Sequence, residues 1–599
     1  MKLKKITAKH IMMIPIVLAI GIIPLIIRVT VHSNERLAQE FGLPQSYYKY
    51  ADIFLACKAA AIQILMAVMA VILIYCVIGL KRKLPWDGIF IPVLAYLFFV
   101  LLSGALSQYG SLAFWGSYER FEPVGVIFGY IMIFYYSYNF TGDKEGMHIS
   151  VKMSGVPVGI MILLGILQSI GLDPFNLTLI KKLIVPFSLH DKLDNLQLIR
   201  EKGVAYLTLY NEDYLGMYFA LIIPVCIALV FAAGTMAGRI TSSVFTLALF
   251  FVLYHGRSLS GWIALAGAGI AAVMIVSSRS KKGVIISWAC LGLAVSVLIS
   301  VLEFAPALRD RVQRILSSSS GRVHKITQLE TGDNEVVFYY FDGNELHCKF
   351  DFDDNGMLNI SFTDKNGEQI VYYDNMGESV LEERYAYADA KAYPWQMEDI
   401  RAVMFEIDEH QWPMVRGEDG YYYLDNELNR VKAHRTDNAG IFDETFLSGR
   451  GGIWNRTIPL IGRHIFTGSG ANTFITEYPQ NDYVTLNYLY GWGYTEYNVK
   501  AHSLYLGNMI ENGLIGTLCL MAFFVMYIIK GTRVYCKPFD DDKEGRFVYY
   551  LGFGIFLGCI SYMISGMVND SNVCTAPVFW AFMGVSVRNI RYVSACRLI

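Results

Sequence analysis

A histidine stands near the start of AHSLYLGNMIENGLIG, residues 501–516, where a polar segment turns into an apolar one. His502 could act as a general base toward a hydroxyl, because a histidine with an unperturbed pKa of about 6.5 accepts a proton near neutral pH. At such a boundary it could equally be an interfacial residue or a helix cap. Glu511 could hold an arginine, orient a helix or take part in chemistry. Asn508 and Asn512 lie four residues apart, so on a helix they share a face, which we expect to point into a helical bundle.

Arginines beside apolar segments are the second group that could do chemistry: Arg120 in GSYERFEPVG, Arg257 in YHGRSLSGW, and Arg450 and Arg456 in SGRGGIWNRT. A guanidinium near lipid tends to face a cavity or a charged partner. Each could contact lipid headgroups or a nearby carboxylate such as Glu119 or Glu122. Several together could bind phosphate through planar, bidentate contacts. The pattern therefore predicts a site for a lipid-linked phosphate or diphosphate.

The histidine and the arginines lie beside long apolar segments, which we expect to be the membrane spans that position them. The chain has 599 residues, of which 54% are hydrophobic and 14% aromatic, a composition typical of a polytopic membrane protein. A helix of about 20 residues crosses about 30 Å of hydrocarbon. We expect an all-α membrane bundle of about 12 transmembrane helices, near residues 11–28, 55–79, 88–107, 122–138, 151–170, 213–233, 240–255, 259–277, 283–303, 508–530, 547–567 and 571–588.

Basic residues orient this bundle. KRK at 81–83 and RSKK at 279–282 lie in short loops on one side, which the positive-inside rule assigns to the cytoplasm. An even number of spans places both termini there. The histidine, the four arginines and the largest loop then face outward, where no nucleotide pool exists.

The segment 304–449 differs from the rest of the chain. Turn sequences such as FDGNE, DDNG and DKNGE separate short runs rich in β-branched and aromatic residues, which predicts a β-rich inserted domain over about 325–440. We expect Trp412, Trp395 and the YYY run at 421–423 in its core. The predicted organisation is 1–303, with helices 1–9; 304–449, the extracytoplasmic loop with this domain; 450–507, a loop with candidate catalytic residues; and 508–599, helices 10–12.

Competing motifs favour other interpretations weakly. DFDD at 351–354 imitates a metal-binding DxD motif, but it lies where a hairpin turn is predicted. GSGANT at 468–473 lacks the third glycine and the strand-to-helix context of a dinucleotide site. No HExxH, CxxC pair, Walker A or GxSxG motif occurs, and the net charge of -2 without a long basic run gives no indication of nucleic acid binding.

The run SGRGGIWNRTIPLIGRHIFTGSGANTF, residues 448–474, followed by AHSLYLGNMIENGLIG, resembles the core signature of the bacterial O-antigen ligase and polysaccharide polymerase superfamily. Weaker similarity to the family covers Arg120 with Gly125, the stretch NEDYLGMYFALIIP after Tyr210, and GRSLSGWIAL. The residues that carry the resemblance are Arg120, Asn211, Arg257, Arg450, Trp454, Gly468, Gly470, Phe474, His502, Glu511, Gly513 and Gly516.

This resemblance implies a metal-independent, inverting glycosyltransferase of the GT-C type in the bacterial cytoplasmic membrane. The donor would be a glycan on a polyprenyl diphosphate such as undecaprenyl diphosphate, and the acceptor a lipid, glycan or protein at the outer face. His502 would be the base, and Arg120, Arg257 and Arg450 would bind the diphosphate. No cofactor is implied, and the partners are the donor, the acceptor and membrane lipids.

Other functions remain open at this stage. A ligase and a polymerase use the same donor and differ only in the acceptor, so these residues do not separate them. A transporter or flippase of lipid-linked glycans would also need outer arginines, but it should carry charges deep in several spans and often internal repeats. A receptor would need few spans and a cytoplasmic signalling module, whereas the predicted cytoplasmic loops are short. The inserted domain could hold the acceptor or a partner protein.

Overall fold

The computed structural model of the chain is mainly helical, with one β-rich region. It describes residues 8–33, 49–116, 119–141, 144–195, 201–280, 285, 325–375, 377–382, 387, 389–397, 399–425, 428–444, 446–492, 497–537 and 543–596. The chain divides into two compact units. The first comprises residues 1–301, 461–474 and 499–599, and the second comprises 302–460 and 475–498.

Helices make up nearly all of the first unit, apart from a two-stranded pairing of Thr30–Ser33 with Lys49–Asp52. Its helical segments are Ala8–Val17, Leu18–Ile22, Ile23–Leu25, Ala56–Ile74, Tyr75–Gly79, Phe90–Leu106, Gly110–Trp115, Val124–Phe140, Lys144–Ser169, Pro174–Asn176, Thr178–Ile184, Phe187–Asn195, Glu212–Ala232, Met236–His255, Leu259–Ser277, Ile461–Arg463, Leu504–Glu511, Leu514–Tyr535, Lys543–Ser565 and Ala576–Cys596. The four-residue helix Phe474–Glu477 begins at the last residue of the 461–474 segment.

Seven helices within the described residues are long and apolar enough to cross a membrane. They are Ala56–Gly79, Lys144–Ser169, Glu212–Ala232, Met236–His255, Leu259–Ser277, Leu514–Tyr535 and Gly545–Ser565. Three shorter apolar helices, Lys9–Leu25, Phe90–Leu106 and Val124–Phe140, match three more predicted spans. Ala576–Cys596 overlaps the twelfth predicted span, and the predicted span 283–303 lies outside the described residues except for residue 285. The chain is thus an integral membrane protein with at least seven candidate spans.

The predicted span 508–530 was wrong at its start. A short helix, Leu504–Glu511, ends before Gly513, and a new helix runs from Leu514 to Tyr535. Gly513 has a φ of 81°, a left-handed conformation that favours glycine and breaks the helix. The apolar pattern continues across this break, so hydropathy did not reveal it. Asn508 and Glu511 therefore precede the span, as part of a separate short helix.

The second unit contains the predicted β-rich region, which spans residues 326–431. One sheet has four antiparallel strands: Ile326–Thr331, Val336–Tyr340, Glu345–Phe352 and Leu358–Thr363. The other has seven, in chain order: Tyr372–Asn375, Glu378–Leu381, Lys391–Met397, Ile400–Ile407, His410–Gly417, Gly420–Leu424 and Arg430–Val431. Helices Phe446–Leu460 and Tyr483–Tyr490 follow.

Aromatic side chains from both sheets form a common core. The rings of Phe338 and Phe405 lie 5.3 Å apart. Trp412, Tyr421 and Tyr423 are buried, which confirms their prediction as core residues. Trp395 and Tyr422 are only partly buried and pack against a smaller cluster. The DFDD sequence is a strand end followed by a turn: the Asp353 carboxylate accepts hydrogen bonds from the backbone of Asn355 (2.9 Å) and Met357 (2.8 Å). The hairpin-turn interpretation of this motif is thus confirmed.

Candidate functional site

His502 lies immediately before a short helix whose entry fixes its backbone. Ser503 caps the helix Leu504–Glu511, and the N–H of Leu504 donates to the carbonyls of Gly566 (2.9 Å) and Asn569 (2.8 Å). His502 itself has a φ of 48°. These contacts tie the histidine to the turn that follows helix Lys543–Ser565.

The same turn brings a buried carboxylate to the histidine. Nδ1 of His502 lies 3.6 Å from Oδ2 of Asp570, and the side chains of the two residues are 39% and 3% exposed, respectively. A carboxylate on one ring nitrogen orients an imidazole and stabilises its protonated form, which leaves the other nitrogen for a substrate proton. The arrangement can therefore accept a proton from a group that approaches from the exposed side of the ring.

Arg120 lies in a buried ion cluster. Its guanidinium, 6% exposed, donates from Nη1 to the Glu511 carboxylate, and its Nη2 lies 3.9 Å from Oε2 of Glu122. Glu122 also accepts hydrogen bonds from the hydroxyls of Tyr130 (2.6 Å) and Ser571 (2.8 Å). Burial raises the pKa of Glu511, and the neighbouring guanidinium opposes that shift.

The cavity that adjoins this cluster is small. It has a volume of about 30 Å³ and is lined in part by Arg120, Glu122 and Glu511. A volume of this size accommodates about one water molecule. A phosphate could reach Arg120 only if the surrounding side chains moved.

The glycine-rich turn at residues 468–470 packs against the backbone of Glu511. The N–H groups of Ser469 and Gly470 donate to the carbonyls of Ile510 and Glu511, each at 2.9 Å. A Cβ atom at Gly468 would lie 2.0 Å from the Glu511 carbonyl oxygen, so only glycine fits. The N–H of Phe474 donates to Oε1 of Glu511 at 3.3 Å. The GxGxxxF sequence therefore positions the carboxylate that holds Arg120.

Asn508 and Asn512 share a buried face, which confirms the prediction that their amides point into the protein. Oδ1 of Asn508 accepts hydrogen bonds from the Tyr96 hydroxyl and from Nδ2 of Asn512, both at 2.8 Å. Asn211 has a different role: it caps helix Glu212–Ala232 and accepts the N–H of Tyr214 at 2.9 Å. These asparagines stabilise the elements that carry the site.

Arg257 is exposed and already paired. Its Nη1 and Nη2 donate to the two carboxylate oxygens of Glu201 at 2.7 and 2.8 Å, and its side chain is 55% exposed. A bidentate carboxylate occupies the fork that a phosphate would use. Diphosphate binding by Arg257 would require Glu201 to leave.

Arg450 and Trp454 belong to the second unit. Nη1 of Arg450 donates to the carbonyl of Leu447 at 3.1 Å, and the Trp454 ring packs edge-on against Phe442 at 5.2 Å. Leu447, Ser448 and Gly449 have left-handed backbone angles, so the regular part of this helix begins at Arg450.

Arg456, by contrast, is a structural residue of the second unit. Its guanidinium is buried and donates to the carboxylates of Glu444 and Asp482 and to the hydroxyl of Thr485. Its carboxylate partners, and not a ligand, satisfy this arginine.

Sequence reasoning missed two residues of the first unit that lie near His502 and Arg120. Asp570 follows an apolar segment in VNDSN, where an acidic residue in a short predicted outer loop was a usable signal. Lys500 lies two residues before His502 and is only 5% exposed. Burial lowers the pKa of this lysine, while Glu119 and Asp570 act in the opposite direction. Within the described residues, no group of three or more His, Cys, Asp or Glu could hold a metal ion.

Comparison with known proteins found a match to one family model over part of the chain. Residues 419–521 match the family model described as O-antigen ligase. The match includes Arg450, Trp454, Gly468, Gly470, His502 and Glu511, and it confirms the resemblance to the O-antigen ligase superfamily. No curated protein matches the chain.

Proposed function

We propose that this membrane protein, which carries an O-antigen ligase domain, transfers a glycan from a polyprenyl-diphosphate carrier to an acceptor hydroxyl. Transfer takes place at the outer face of the bacterial cytoplasmic membrane, with both termini in the cytoplasm. The observation that carries the proposal is the pairing of His502 with the buried Asp570 inside a chain whose residues 419–521 match the O-antigen ligase family.

The reaction is a single displacement. His502 takes the proton of the acceptor hydroxyl while that oxygen attacks the anomeric carbon of the donor. The bond between this carbon and the diphosphate oxygen breaks, and the diphosphate leaves on its lipid with the bonding electron pair. Attack opposite the leaving group inverts the anomeric carbon. The chemistry assigned to these residues needs only the energy stored in the lipid-linked bond.

Asp570 is the positioning residue for this step. Its carboxylate lies beside Nδ1 of His502, so it favours the tautomer in which Nε2 accepts the acceptor proton. It also stabilises the imidazolium that forms as the proton is transferred. Arg120 and Arg257 remain candidate diphosphate ligands, and each would have to exchange a carboxylate for phosphate.

The Glu511 carboxylate determines where the guanidinium of Arg120 is held. The glycine turn holds Glu511, which is the last residue of helix Leu504–Glu511. Glu511 therefore fixes the guanidinium of Arg120 at the carboxyl end of the helix that follows His502. We propose that this pair sets the geometry of the segment that carries the base, whether or not Arg120 itself reaches phosphate.

Reconstitution of the purified protein with a polyprenyl-diphosphate-linked glycan and candidate acceptors tests the function. Mass spectrometry of the products should show glycan joined to the acceptor. A product one repeat longer that is still linked to lipid identifies a polymerase, and a glycan on a different molecule identifies a ligase. Movement of the donor across the bilayer without transfer would replace this proposal with a flippase.

A further inference from the structure

Lys500 is a buried lysine that lacks the contacts such a residue normally has. Its side chain is 5% exposed, and its ammonium lies over the rings of Tyr210 and Tyr214, 5.1 and 5.5 Å from their centroids. Among the described residues, no carboxylate or hydrogen-bond acceptor lies within bonding distance of Nζ. The ring faces of two tyrosines accept no conventional hydrogen bond, and the carboxylates of Glu119, Asp570 and Glu122 act on the ammonium only from a distance, so its donors can serve a ligand.

A second buried lysine of the same unit shows the usual arrangement. Nζ of Lys58 donates to the carbonyls of Ile26 and Phe54 at 2.7 Å and of Thr208 at 2.8 Å. Its three donors are fully used, so Lys58 is structural. Lys500 has the same burial without these acceptors, which indicates a ligand in place of a backbone partner.

One of the two rings beneath Lys500 comes from the start of a long helix. Tyr214 belongs to the first turn of helix Glu212–Ala232, which has 21 residues, and Asn211 caps that helix. The amino end of a helix carries a partial positive charge and attracts anions. The first turn of this helix also carries the carboxylates of Glu212 and Asp213, so the ammonium of Lys500 is the group that supplies positive charge for an anion here.

Several neighbouring charged groups are engaged with one another, while Glu119 and Asp570 act on Lys500 through space without an ion pair to Nζ. Arg120 is paired with Glu511, and His502 faces Asp570. Within the described part of this cluster, Lys500 is the buried cation that is left without a carboxylate in contact.

We propose that Lys500 binds a phosphate of the donor's diphosphate, beside the base His502. Two residues of extended chain span at most about 7 Å, so a phosphate on Lys500 lies within reach of the reaction at His502. Lysine binds phosphate as a point charge, and its ammonium would stabilise the negative charge that develops on the departing diphosphate. This inference rests on the proposed function and names a phosphate ligand that the family signature does not include.

Equilibrium binding to the full-length protein tests it without catalysis. The probes are a short-chain isoprenyl diphosphate and the matching isoprenyl alcohol, measured with wild type, Lys500→Gln and the exposed-lysine control Lys202→Gln in lipid nanodiscs. Loss of one charge-assisted contact should weaken diphosphate binding by about 10- to 100-fold in Lys500→Gln. Binding of the alcohol, and both affinities of the control, should remain at wild-type values.

Equal diphosphate binding by folded Lys500→Gln and wild type would overturn the assignment of Lys500 and leave the proposed function standing. Absence of diphosphate binding by wild type would instead count against the proposed function. If Lys500→Gln does not fold, Tyr214→Leu removes one ring beneath the ammonium and should lower diphosphate affinity about 2- to 30-fold without changing alcohol affinity. Unchanged diphosphate affinity in that variant would also overturn the inference.

Discussion

Replacing Asp570 by asparagine removes the charge behind His502 and keeps the shape of the side chain. The ring nitrogen and the carboxylate oxygen are 3.6 Å apart. At that distance an imidazolium and a carboxylate attract each other by about 1 kcal/mol in a water-like medium and by about 5 kcal/mol at an effective dielectric constant of about 20. The aspartate is buried but the histidine side chain is 39% exposed, so we expect an intermediate value of about 2–3 kcal/mol.

This stabilisation acts on the imidazolium, which forms only as the proton is transferred. Asp570→Asn should therefore lower kcat by about 30- to 150-fold and leave the KM for the donor nearly unchanged. Asp87→Asn is the matched control, because that side chain is also largely buried, at 12% exposed, and pairs with Lys530. We expect the control to transfer glycan at close to the wild-type rate.

A double-mutant cycle makes the test stringent. Once His502 is alanine, Asp570 has no imidazole to orient, so the double variant His502→Ala/Asp570→Asn should be no slower than His502→Ala alone. The assay is single-turnover transfer with saturating donor. Additive losses, or a change in donor KM with kcat intact, would refute the assignment of Asp570 as the positioning residue.

Two further predictions concern the support of the site. Gly468→Ala places a methyl group 2.0 Å from the Glu511 carbonyl oxygen, so we expect a loss of about 1–3 kcal/mol in the free energy of unfolding and a lower Tm; Gly462→Ala, which meets no atom within 4 Å, should leave Tm unchanged, and equal Tm values for the two variants would contradict the packing argument. Glu511→Gln removes the nearer of the two carboxylates beside the buried Arg120 and should cost about 3–5 kcal/mol, whereas Glu201→Gln breaks an exposed pair and should cost about 1 kcal/mol or less in the same thermal unfolding experiment. Comparable losses in these two variants would show that burial does not decide the outcome.

Local signals predicted the parts of the fold that local interactions determine. The Asp–Asn–Gly turns between short apolar runs indicated the hairpins of residues 326–431, because the turn residues themselves fix the chain reversal. Most candidate spans were predicted from the length and hydropathy of a segment, which are also local properties of the sequence. The break at Gly513 was not, since the N–H groups of Leu514 and Ile515 bond to the carbonyls of His464 and Ile465, which come from a distant part of the chain.

The sequence predicted several residues of the candidate site, but it did not predict the contacts between them. Arg120 and Glu511 were both predicted as site residues. They are separated by 391 positions, and no local pattern in either segment indicates that their side chains are in contact. Asp570 was missed because one acidic residue in a short loop looks like any solvated residue until the turn brings it to His502. Lys500 was missed because its burial depends on Tyr210 and Tyr214, which belong to a different element.

The rate of single-turnover glycan transfer by His502→Ala, compared with wild type and with the control His464→Ala, tests most directly whether His502 is the base. General base catalysis contributes about 10²- to 10⁴-fold, so we expect a loss of that size in folded His502→Ala and close to the wild-type rate in the control. Transfer by His502→Ala at the wild-type rate would contradict the proposed mechanism.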